Sequence, residues 1–176
     1  MRKLSMKELN RKSVDEYKQA EKLPVVVVLE NIRSAYNVGS IFRTADAFLL
    51  DRIYICGYTA HPPHKEIKKT ALGADESVDW KYFKTTNEAI GELRNKGFKI
   101  FSVEQAEKSI MLNTLQLHND KLAIVFGNEV TGVEQVTIQL SDGCIEIPQS
   151  GMKHSLNVSV AAGIVLWELI RTRIKI

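Results

Sequence analysis

The chain has 176 residues, 44% of them hydrophobic and 26% charged. That is enough for one domain with a full core and too little for two of ordinary size, and the balance excludes disordered, collagen-like and membrane classes. The formal charge of +3 does not establish nucleic-acid binding by itself, yet it is unevenly placed: residues 1 to 22 hold seven Lys or Arg against four Asp or Glu, and the remainder balances at seventeen of each. The expected organisation is a basic helical extension over 1–22 and a single domain over 23–176. Such an arm fits a polyanionic partner, or serves as a plain solubilising tail. No apolar run reaches membrane-spanning length, and Met1-Arg2-Lys3 has no apolar stretch behind it, so the reading is a cytoplasmic protein with no membrane partner. Cys56 and Cys144 stand in apolar runs with neither metal nor disulfide spacing and read as buried free thiols.

In chain order, Leu4, Leu9, Val14 and Tyr17 predict an imperfectly amphipathic helix over residues 4–20, stopped by Leu23-Pro24. Val25 to Leu29 is a continuous, mostly β-branched run, the pattern of a strand buried on both faces of a parallel sheet. The polar segment 30–40 feeds a helix with Ile41, Phe42, Ala45 and Phe48 on one face and Arg43 off it. Arg52 to Tyr58 predicts a second strand, followed by a loop containing His61-Pro62-Pro63-His64 whose histidines read as surface residues, with no metal expected. Val78 to Phe83 is a third strand, Asn87 to Lys96 a helix closed by Gly97, and Lys99 to Val103 a fourth strand. Leu122 to Phe126 is a fifth, with Val133 to Leu140 helical after it. Cys144 to Ile147 is a sixth, ahead of a long apolar helix opened by Ser155-Leu156-Asn157, with Ser155 as the expected N-cap. Strands alternating with helices argue for a parallel α/β sheet that binds ligands beyond the carboxyl ends of its strands.

Three polar loops, 30–40, 127–132 and 148–155, follow three of these strands and can converge on one site. Gly127 and Gly132 have P-loop spacing, but Val133 and Glu134 stand where Lys and Ser or Thr are required, so a nucleoside-triphosphate role has no support.

These stretches resemble the TrmH (SpoU) branch of the SPOUT methyltransferases. Asn31 to Phe48 is similar to the first motif of that family, with Asn37 and Arg43 at its Asn and Arg positions; Leu122 to Val133 resembles the second, and Ile145 to Ala162 the third. Thr70-Ala71-Leu72-Gly73-Ala74 is also similar to a segment common in the branch, and the likeness covers about residues 25 to 170 in order. Three departures stand out: Leu49 where Gly commonly ends the first motif, Gln149-Ser150 after Pro148 where Met is common, and no separate N-terminal RNA-binding domain. That leaves residues 1–22, the 61–64 loop and the basic tail Arg171, Arg173 and Lys175 to grip RNA.

The resemblance implies a three-layer SPOUT fold with a C-terminal deep trefoil knot, a homodimer, and S-adenosylmethionine-dependent methylation of RNA, typically a ribose 2′-hydroxyl of tRNA or rRNA. It implies cofactor contacts from Phe126, Gly127, Ile147 and Leu156, with Ser155 and Asn157 nearby, and catalytic roles for Arg43, Asn37, Glu129, Ser155 and Asn157. Methyl transfer from a sulfonium demands in-line placement more than strong acid or base, and a guanidinium is a poor proton acceptor, so Arg43 is read as a phosphate anchor. Glu129 is expected to pair with Arg43 or to order the third motif. The rival readings are a base-methylating enzyme of the same fold, or a non-catalytic RNA-binding or assembly factor.

Overall fold

The computed structural model describes residues 1–5, 8, 9, 11–115, 121–153 and 155–171. Its elements are α1 (Val14–Gln19), β1 (Leu23–Glu30), α2 (Ala35–Ala47), β2 (Leu50–Cys56), α3 (Lys65–Ala71), α4 (Ala74–Ser77), β3 (Trp80–Phe83), α5 (Thr86–Asn95), β4 (Lys99–Val103), β5 (Ile110–Met111), β6 (Leu122–Phe126), α6 (Gln135–Leu140), β7 (Gly143–Glu146) and α7 (Val158–Ile170). Among the described residues the strands form one sheet in the order β3-β2-β1-β6-β4-β7-β5, parallel at every pairing.

The valine run explains why β1 is central. Val25, Val27 and Leu29 point into a core shared with α2, α3, α4 and α7, while Val26 and Val28 point into a second core with α5. Every one of them is buried, so the sheet is sandwiched between two helical layers, and each such side chain contributes roughly 1.5–3 kcal/mol on leaving water. Pro24 falls where the β1–β2 register shifts, the kind of irregularity a residue without an N–H requires. α5 starts on Thr85, whose side chain accepts from Glu88 N. It ends with Gly97 at φ +78°, where Gly97 N donates to Arg94 O and Phe98 N to Leu93 O. This double closure is a Schellman motif, and Phe98 completes it by burying its ring in the same core as Leu93.

Several boundaries differ from the sequence reading. The helix expected over 4–20 contracts to α1, because Ser13 and Glu16 form a capping box that starts it only at Val14; residues 6, 7 and 10 lie outside the described residues. Leu4, Leu9 and Val14 are exposed, whereas Tyr17 enters the main core. The third strand begins at Trp80 because α4 and its C-cap Val78 take the preceding residues. β2 stops at Cys56, since Gly57 turns the chain at φ +65°. β5, a two-residue edge strand, carries too little pattern to be read from sequence. Leu49 adopts φ +54°, the left-handed conformation that glycine takes at no steric cost. Both cysteines are free and buried; burial pushes the Cys56 thiol up to about 12 and raises that of Cys144. Among the described residues no helix is long and apolar enough to cross a membrane.

Candidate active site

The carboxyl ends of β1 and β6 are tied together by side chains that reach across the sheet to backbone groups. Glu30, fully buried at the end of β1, accepts from Glu134 N at 2.8 Å and from the Thr137 hydroxyl, which fixes the start of α6. Asn31 takes a left-handed conformation at φ +53°; its Nδ2 donates to Glu134 Oε1 at 2.7 Å and its Oδ1 accepts from Tyr58 N at 3.3 Å. A Cβ on Gly57 would fall 1.9 Å from Asn31 Oδ1 and would displace that amide, and φ +65° favours glycine there as well. Asn128 Oδ1 accepts from Val130 N and Thr131 N, folding the loop after β6 onto itself, while its Nδ2 donates to Asn31 O at 2.8 Å and to the Tyr58 hydroxyl at 2.6 Å.

Glu129 is the bridge to α2. Its carboxylate accepts from Arg33 N at 2.8 Å, Ser34 N at 3.0 Å and Asn37 Nδ2 at 2.8 Å. Burial opposes its ionisation, but the hydrogen bonds from Arg33 N, Asn37 and Ser34 N together outweigh burial and hold its pKa below the ordinary value. A negative group fastened to the first turn of α2 also matches the helix dipole. Asn37 spends its other amide atom on α7: Asn157 Nδ2 donates to Asn37 Oδ1 at 3.1 Å. Glu129, Asn37 and Asn157 are therefore one chain of contacts joining the loop after β6 and the start of α2 to the N-cap of α7. The expected pairing of Glu129 with Arg43 is replaced by this anchorage.

The N-cap of α7 is Asn157, whose Oδ1 accepts from Ser159 N at 2.9 Å, and not Ser155 as the sequence suggested. The helix starts two residues later than Ser155 requires, which frees Ser155 and Leu156 to line a cavity of about 400 Å³. Phe126, Gly127, Glu129, Ile147, Ser155 and Leu156 all face that cavity, as do Glu104, Gln149 and Val158. Its size lies within the range of small-molecule sites, and its lining sets the apolar Phe126, Ile147 and Leu156 beside Glu104, Glu129 and Gln149, a mixture that suits a nucleoside with a charged tail. Gly127 is held against Gly132 and Val133 so closely that a Cβ would meet them at 2.3 Å. Arg43 is elsewhere: it is exposed on α2 and lines a separate depression with Thr44, Phe48, Lys69, Thr70 and Gly163. His64 caps α3 and His61 stacks on Trp80, and both histidines remain exposed. His154, Arg173 and Lys175 lie outside the described residues.

Sequence reasoning missed Glu30, Asn128 and Glu104 as site residues. The available signal was positional: each sits at the carboxyl end of a parallel strand, and the end of β4 belongs to that set as much as the other three.

A parallel sheet with loops interlocked over such a cavity defines a class. Residues 24–167 match the SpoU rRNA methylase family, and the chain belongs to that family. It is 30% identical over 168 residues to the tRNA (guanosine(18)-2′-O)-methyltransferase of Thermus thermophilus, covering 96% of this chain and 85% of that one. An uncharacterized tRNA/rRNA methyltransferase of Borreliella burgdorferi is 32% identical over 146 residues, 83% of this chain; the chain spans 63% of that relative's length. The AdoMet-bound rRNA methyltransferase of Sinorhizobium meliloti superposes with a TM-score of 0.81 at 27% identity, covering 94% of this chain and 62% of that one.

Proposed function

We propose that the protein is a cytoplasmic, S-adenosylmethionine-dependent RNA methyltransferase acting on a ribose 2′-hydroxyl of tRNA or rRNA. The observation that carries this reading is a cavity sized for a nucleoside, whose lining residue Glu129 is hydrogen-bonded to Asn37 and through it to Asn157, in a chain of the SpoU family. S-adenosylmethionine supplies an electrophilic methyl group, and the protein's task is to hold it and the 2′-oxygen in line. Phe126, Ile147, Leu156 and Val158 offer the apolar walls for its nucleoside, and Gly127 offers close backbone approach. Asn37 and Asn157 orient the reacting ribose. Arg43, on the exposed side of the same helix as Asn37, anchors a substrate phosphate through its guanidinium.

Two further elements of the proposal concern assembly. Val160, Ile164 and Trp167 form an exposed apolar stripe on α7, and Trp167 meets Phe48 at 6.0 Å beside the Arg43 depression. A second copy of the chain covering this stripe would make a homodimer and bring Arg43 to an interface. The out-of-order insertion of β7 between β4 and β5, with α7 returning to pack on α2, supports the knotted C-terminal path that the family likeness implies. Residues 1–22 remain the basic arm for RNA, with 23–176 as the methyltransferase domain.

The test is calorimetric titration of the purified protein with S-adenosylhomocysteine, which requires no knowledge of the RNA. Saturable binding near one per chain, followed by methyl acceptance by tRNA or rRNA, is expected. A folded protein that binds none would overturn the catalytic reading in favour of a non-catalytic RNA-binding factor.

A further inference from the structure

The end of β4 carries a carboxylate that the reading above leaves without a role. Glu104 lines the same cavity as Phe126, Ile147 and Leu156. Its Oε2 accepts from Val133 N at 2.9 Å, its Oε1 accepts from Gln105 N at 2.9 Å, and its own backbone N–H donates to Ile145 O at 3.1 Å. The carboxylate presses on the loop after β6 so tightly that a Cβ on Gly132 would fall 2.1 Å from Oε2. A side chain with three rotatable bonds is thus held in one pose by two loops. An ionised carboxylate has about four acceptor positions and the two backbone N–H groups occupy two, so each oxygen keeps acceptor capacity beside the cavity.

The sheet order places this carboxylate on one particular side of the cavity. Glu104 reaches the cavity from the end of β4, on the opposite side of β6 from β1, whose following helix carries Asn37. A nucleoside lying against Phe126, Ile147 and Leu156 would bring its ribose within reach of the ends of β4 and β7. Its vicinal diol presents two O–H donors at a spacing that a carboxylate can accept side by side. An acidic side chain beyond a strand's carboxyl end meets ribose hydroxyls in the same manner in dinucleotide-binding folds.

We propose that Glu104 is the ribose-binding residue of this site, accepting hydrogen bonds from the 2′,3′-diol of S-adenosylmethionine. The inference rests on the reading of the cavity as the S-adenosylmethionine site. The experiment is calorimetric titration of the wild type, Glu104→Gln and Glu104→Ala with S-adenosylhomocysteine and with its 2′-deoxy and 3′-deoxy counterparts. Thermal melting verifies that each variant is folded. Hydrogen bonds to a charged acceptor predict that Glu104→Ala weakens S-adenosylhomocysteine roughly tenfold to hundredfold, with a smaller loss for Glu104→Gln. Against the deoxy ligands the Ala variant should lose much less, because one hydroxyl partner is already gone. An equal loss for all three ligands would overturn the proposal, reducing Glu104 to a support for the loop or assigning it to the ligand's ammonium group. No loss for any ligand would overturn it as well. A folded wild type that binds none of them would instead remove the cofactor reading on which the inference stands.

Discussion

The two ends of the sheet differ in the balance of what their polar side chains bond to. At the carboxyl ends, Glu129, Glu30 and Asn128 bond to backbone groups far away in sequence, at Arg33 and Ser34, at Glu134, and at Asn31. Around the amino ends, charged side chains meet one another on the surface: Glu92 takes Lys81 and Lys96, and Asp51 takes Arg52. Links between two flexible side chains in water leave the backbone where it was. Links from a carboxylate to peptide N–H groups specify where a loop must be, and the loops specified here are those around the cavity. Asp142 makes one such link at the amino ends, accepting from Ile100 N at 2.7 Å, whereas Glu129, Glu30 and Glu104 make theirs around the cavity.

Substitutions at each end sharpen this contrast. The largest effect is expected from Arg43→Ala, which should lower methyl transfer about a hundredfold to a thousandfold while leaving S-adenosylhomocysteine affinity unchanged. Single-turnover rates beside calorimetry test this, and a fully active variant would remove Arg43 from the mechanism. Glu129→Ala comes next. Losing a charged acceptor for three donors should cost about 2 kcal/mol and reduce turnover through misplacement of α2. The Glu129 pKa lies below its ordinary value in the folded chain, so its contribution is present above the carboxylate range and lost as pH falls through the folded value. The difference in melting temperature between wild type and Glu129→Gln should accordingly shrink from pH 7 toward pH 3. Smallest is Glu92→Gln. Hydrogen bonds from Lys81, Lys96 and Tyr54 hold the Glu92 carboxyl down to about 2 from 4.5, so its support should fade between those values. The pair is solvent-screened, and the change should stay under about 1 kcal/mol with unaltered turnover. An activity loss at Glu92 comparable with that at Glu129 would erase the distinction between the two ends.

The elements that bury apolar side chains were legible in the sequence, since the Val25 to Leu29 run, the Leu122 to Phe126 run and the Gly97 stop each express a local rule. The motif residues Asn37, Glu129 and Asn157 could be named because of the family likeness. Their mutual contacts could not, because the side chains that meet are about a hundred residues apart. Ser155 and Asn157 are both good capping residues, and only the backbone path decides between them. Glu104 follows an ordinary strand without glycine or motif, so its place in the cavity depends on β4 lying next to β6.

Gly57 touches no part of the proposed ligand site, yet its missing side chain leaves room for the Asn31 amide that links Glu134 and Tyr58. In a mutational scan scored by activity, position 57 would therefore register among the functional positions. Reversion would be sought in vain by restoring any cavity residue. A smaller side chain at 31 would relieve the contact but give up the amide, and the positive φ at 57 would still disfavour a side chain there.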